Sequence, residues 1–81
     1  MDLTDTEREM LRLVRDGRVM RLTTPLGEGA YERTDGGDLD WDVLDRLAGL
    51  DLIAWASTGV GTSARETVEL QEDGREAAAK L

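Results

Sequence analysis

The sequence predicts a small α+β fold: helix, short hairpin, helix, second hairpin and C-terminal helix, in one domain spanning residues 1–81. Three observations predict it. Apolar residues recur at helical spacing near residues 6–16 and 38–50. The intervening and following stretches are strand-like, broken by glycine and by Pro25. With 81 residues, 40% of them hydrophobic, the chain can fill one core, close to the size below which a core alone is marginally stabilising.

Thr4 opens the first helix, because Glu7 lies three residues on and can reach back to the Thr4 backbone N–H. Met10, Leu11, Leu13 and Val14 then share one arc, and Gly17 suits the left-handed position that closes a helix, giving Thr6–Asp16. On the opposite face Arg8, Arg12 and Arg15 form a stripe, with Arg18 and Arg21 just beyond and Asp5, Glu9 and Asp16 along its edge. Two readings stand: a basic ridge for phosphate or an acidic partner, or a solvated face neutralised by weak local pairs.

Val19–Thr24 reads as a strand ended by Pro25, residues 26–29 as a turn, Ala30–Arg33 as a second strand carrying Tyr31, and residues 35–37 as a loop. Asp38 or Asp40 can cap the second helix. Its apolar arc is Leu39, Val43, Leu44, Leu47 and Ala48, with Trp41 at the edge, and Gly49 is expected to end it. Leu52–Ser57 is strand-like, residues 58–63 make a turn, and Ala64–Leu70 returns as one strand with Arg65, Thr67 and Glu69 on its outer side. Glu72–Leu81 reads as a short helix with Ala77, Ala78 and Leu81 on its apolar face. Trp41 and Trp55 are expected at the core or its edge rather than as base-stacking platforms, since each lies in a patterned apolar segment.

Composition narrows the chemistry. Without cysteine there is no disulfide framework, zinc–thiolate site or thiol nucleophile, and without histidine the commonest general base is missing. Ser57 and Ser63 therefore belong to no triad, and no enzyme is expected. No apolar run approaches the roughly 20 residues that span a bilayer, and the acidic N-terminus is unlike a signal peptide, so a cytoplasmic protein is the expectation. Eighteen acids against ten bases leave a net charge of −8, a field that repels nucleic acid and attracts basic surfaces. Solubility alone, or a salt-rich cytoplasm, would equally explain the acidity.

Two local patterns resemble ligand loops and fail on inspection. Gly59-Val-Gly61-Thr62-Ser63 has Thr62 where a phosphate loop needs lysine. Asp38-x-Asp40-x-Asp42 begins like a calcium loop, but its sixth and twelfth positions are Val43 and Gly49 instead of Gly and Glu. No cofactor is expected. Acids near a helix start also simply complement its dipole.

Leu44, Leu47, Leu50, Leu52 and Ile53 form a helix–strand junction of the type "L…L…GLI", and Val68, Leu70, Gly74, Arg75 and Ala77 fit a "V.LT..GR.A" phrase. Together these resemble the closing half of prokaryotic winged-helix regulators. The resemblance spans just over half the chain. It implies a winged-helix-like scaffold with the 38–50 helix in the recognition position and residues 52–70 as the wing. Two departures stand out: residues 18–37 occupy the place of the short second helix, and Gln71 stands where a capping Thr is frequent. The positions that would face a DNA groove are Asp42, Asp45, Arg46 and Gly49, with Arg65 the wing's base, and a polyphosphate repels that first set.

The functional expectation is a non-enzymatic module that docks on a protein with a basic surface through Asp38, Asp40, Asp42, Asp45 and Arg46, in the manner of a phage- or plasmid-borne inhibitor. The alternative is a DNA-binding transcriptional regulator, as a homodimer, using Arg8, Arg12, Arg15, Arg18, Arg21 and Arg65.

Overall fold

The computed structural model describes residues 2–26, 29–55 and 64–81. Within them the chain is a small α+β molecule of three helices and short antiparallel strands, about 39 × 25 × 19 Å. Helix α1 covers Asp5–Arg15, and both halves of the capping box are formed: the Thr4 hydroxyl accepts from the Glu7 N–H at 3.1 Å, and Glu7 Oε1 accepts from the Thr4 N–H at 2.9 Å. The helix ends as the sequence predicts. Gly17 takes φ 73°, and the Arg18 N–H reaches back to the Leu13 carbonyl at 2.9 Å.

Strands β1 (Val19–Thr23) and β2 (Gly29–Arg33) form the expected hairpin, in a register that sets Arg21 opposite Tyr31. Helix α2 runs Trp41–Gly49 with Asp40 as N-cap, its carboxylate accepting from the Val43 N–H at 3.1 Å. Gly49 is the last residue of this helix, as expected. The left-handed residue is Asp51, φ 59°, and the Leu52 N–H closes onto the Leu47 carbonyl at 3.0 Å. The closing bonds require Leu52 to come down onto the core, so the turn falls two residues after the glycine. Leu47 and Leu52, both almost inaccessible, fix that geometry.

The largest departure concerns the second hairpin. Ala64–Leu70 was expected as one strand beside the 52–57 segment, yet it divides in two. Strand β4 (Ala64–Thr67) pairs antiparallel with β1, giving the sheet order β2–β1–β4. Strand β5 (Glu69–Leu70) pairs instead with β3 (Ile53–Ala54). Val68, completely buried, stands at the division and donates its N–H to the Val19 carbonyl at 2.9 Å. The expected turn at 58–63, with its phosphate-loop-like glycines and Ser63, lies outside the described residues, as does Ser57 before it.

Helix α3 (Glu72–Ala79) has Gln71 at its N-cap without a side-chain bond to the helix, consistent with the missing Thr noted in the sequence, and it stops short of the expected Leu81. The Gln71 N–H donates to the Leu52 carbonyl at 2.9 Å, and Gly74 packs so closely over Leu52 that a Cβ would stand 2.9 Å from its carbonyl carbon. The core joins α1 to α2, α3 and β5 through Leu11, Leu44, Leu47, Ile53 and Val68. Among the described residues no helix is long and apolar enough to cross a membrane.

Candidate functional site

The chain has three aromatic residues, and all of them meet on one side of the molecule. Tyr31 projects from β2 and is buried at their centre. Trp41, the first residue of α2, meets its ring edge-on with centroids 6.1 Å apart. Trp55, just past β3, does the same from the other side at 5.9 Å. Edge-to-face packing suits the ring quadrupoles and adds to what area burial contributes. The cluster thereby ties the hairpin to α2 and to the β3–β5 ladder.

Two charged residues complete it. The Tyr31 hydroxyl donates to Asp45 Oδ1 at 2.8 Å. Burial pushes the phenol's pKa far up, and the hydrogen bond to Asp45 adds to the rise. Across the hairpin, the Arg21 guanidinium carbon lies 4.5 Å from the Tyr31 ring centroid and 4.8 Å from that of Trp55. The guanidinium also lies against Gly29, where a Cβ would overlap it.

The expected docking residues prove unequal. Asp40 is committed to the α2 cap and Asp45 to Tyr31. Asp38 and Asp42 are exposed. Trp41 is 48% exposed and, with Met10 and Leu39, floors a shallow groove of about 620 Å³ edged by Asp38, Asp40 and Asp42. Among the described residues, no arginine or lysine forms an ion pair with any of these four aspartates. Arg46 turns the other way, 3.9 Å from Glu7. Glu7 is buried, and its pKa is held below the ordinary carboxylate value chiefly by the Thr4 backbone N–H, against the opposing effect of burial.

The basic residues expected to serve a phosphate backbone are mostly spoken for. Arg8 pairs with Asp5, Arg12 with Glu9 at 3.5 Å and Arg15 with Asp16 at 3.2 Å. Arg18 reaches Asp35 at 3.3 Å, and Arg65 holds Glu32 across the sheet at 2.7 Å. Asp35 also receives the Gly37 N–H and takes Arg33 Nε at 2.6 Å, which together lower its pKa. Arg21 alone of the six forms no ion pair among the described residues.

Trp41 is therefore more exposed than its place in an apolar segment suggests, and Tyr31 is the residue that sequence reading passed over. The signal was the hairpin itself: a turn centred on Leu26 sets Tyr31 against Arg21, on the face that turns towards α2. Chemically, an indole ringed by carboxylates can hold an organic cation through its π face and neutralise it at the rim. Among the described residues no three His, Cys, Asp or Glu groups stand close enough together to hold a metal ion. Comparison with protein-family models, with curated protein sequences and with solved structures finds no match to this chain.

Proposed function

We propose that this chain is a non-enzymatic binding module on a winged-helix-like scaffold, docking on a protein that presents a basic surface. The observation that carries the reading is an imbalance of pairing. The arginines of α1 are matched by acids of their own helix or its cap, whereas the carboxylates around Trp41 have no basic partner among the described residues. A half-exposed tryptophan inside a charged rim also has the anatomy of an interface hot spot, with an aromatic anchor at the centre and polar groups around it. Unpaired acids on the rim would accelerate encounter with a cationic partner and exclude a polyanionic one.

The scaffold part of the reading draws on topology. β1 lies beside β4, β3 opposes β5, and α3 closes over Leu52, an arrangement compatible with a winged helix whose short second helix is replaced by the β2 arm of a hairpin.

The test is a pair of titrations at low salt, one with an arginine-rich peptide and one with duplex DNA, followed by tryptophan fluorescence. The peptide is expected to bind, Trp41→Ala to cost about 2 kcal/mol of that binding, and Asp38→Asn with Asp42→Asn to slow association. DNA binding that falls steeply with salt while the peptide leaves the protein unchanged would replace this reading with a transcriptional regulator.

A further inference from the structure

Arg21 differs from every other arginine in the described residues. Seven carry a carboxylate partner, and Arg75 donates to the Leu70 carbonyl. Arg21 has neither. Its Nε is shut off from solvent and makes no hydrogen bond, and among the described residues no side-chain hydrogen bond engages its two terminal nitrogens. The side chain is nonetheless held in place, lying over Tyr31 and Trp55 and across Gly29. Its Cα neighbour on β4 is Glu66, on the same face of the sheet, yet the two form no ion pair.

A guanidinium resting on two aromatic faces is partly stripped of water and pre-oriented. The rings satisfy some of its charge but none of its N–H donors. Planar N–H donors in a fixed fork match the two oxygens of a carboxylate or phosphate. We propose that Arg21, backed by Tyr31 and Trp55, is an oxyanion-binding site, distinct from the acid-rimmed groove at Trp41 and independent of the basic-partner reading. The glycine at position 29 belongs to the site, because only a residue without a Cβ leaves the guanidinium in its position. Glu66 and the net charge of −8 oppose an incoming anion, so the site selects against weakly coordinating anions and favours those that can engage both donors.

The direct probe is the NMR signal of the shielded Arg21 Nε–H, read with the Trp55 indole N–H. Inorganic phosphate and acetate are titrated separately against sodium chloride at matched ionic strength. Either oxyanion is expected to shift both signals saturably where chloride does not. Phosphate acting alone identifies a phosphoryl ligand, acetate acting alone a carboxylate, and both together a general oxyanion site. Arg21→Met should lose the response, and Glu66→Gln, which keeps the arginine and the sheet, should tighten it several-fold. Shifts that merely track ionic strength, a saturable indole response persisting in Arg21→Met, or unchanged affinity in Glu66→Gln would each overturn the proposal.

Discussion

Tyr31 and Glu7 are two buried side chains whose titration the surrounding structure displaces in opposite senses, and each makes a prediction. Tyr31 is the only tyrosine, so ultraviolet absorbance of tyrosinate reports it alone. Its folded pKa lies above the unfolded value of about 10. The unfolded chain therefore ionises first, and the stability held by the neutral phenol is complete below that value and declines as pH rises towards the folded one. No tyrosinate is expected near pH 10 until the protein unfolds, and Asp45→Asn, which keeps an acceptor but removes the charge, should bring ionisation to lower pH. Glu7 behaves conversely. Its folded pKa is depressed below 4.5, so its contribution is complete above that value and disappears as acid protonates the capping carboxylate. Denaturant titrations across that range should show Glu7→Gln with a shallower loss of stability in acid than the wild type. A variant as acid-sensitive as the parent would remove Glu7 from the account.

At the scale of elements, the two glycines 29 and 74 give contrasting expectations. A Cβ at Gly74 meets the Leu52 backbone, which cannot swing aside, so Gly74→Ala should cost about 3 kcal/mol in denaturant unfolding. A Cβ at Gly29 meets only the flexible end of Arg21. That substitution should leave stability nearly intact while displacing the guanidinium from Trp55, visible as a changed indole signal. Asp51, left-handed at the close of α2, predicts the opposite sign: Asp51→Gly should stabilise by about 0.5–1 kcal/mol. These junctions also mark where sequence was sufficient. Thr4, Glu7 and Gly17 bounded α1 to within a residue because capping is local chemistry. Gly49 likewise marked the last residue of α2, but the left-handed Asp51 beyond it was not legible, because that turn is set by Leu52 reaching the core, a contact between distant elements. The division of 64–70 was illegible for the same reason, as alternation of side chains is identical whichever neighbour a strand chooses. Of the candidate site, the four aspartates could be named from their positions, but the tasks of Asp40 and Asp45 depended on three-dimensional partners.

For the whole molecule, charge is the governing quantity. Ion pairs on the surface are worth little individually, and they leave a net −8 on a body only 39 Å long. Self-repulsion should therefore be relieved by added salt, shortening the range over which these charges act. Thermal unfolding in rising potassium chloride is expected to gain about 1 kcal/mol, or roughly 4–8 °C for a domain this small. A melting temperature that falls with salt would mean that the local pairs outweigh the overall field. The same screening should weaken capture of a cationic peptide at Trp41, so stability and binding are predicted to move in opposite directions along one salt series.

The pairing of β1 with β4 spans more than forty residues of chain, and it has a bearing on how the protein is made. On a ribosome the first hairpin can close as soon as its arms emerge, but the open flank of Val19–Thr23 waits for the segment beginning at residue 64. During that interval unpaired N–H and C=O groups are available to any neighbouring nascent chain. Synthesis that stalls between the two segments should thus yield aggregates, whereas a chain released through Leu70 has the partner that seals the edge.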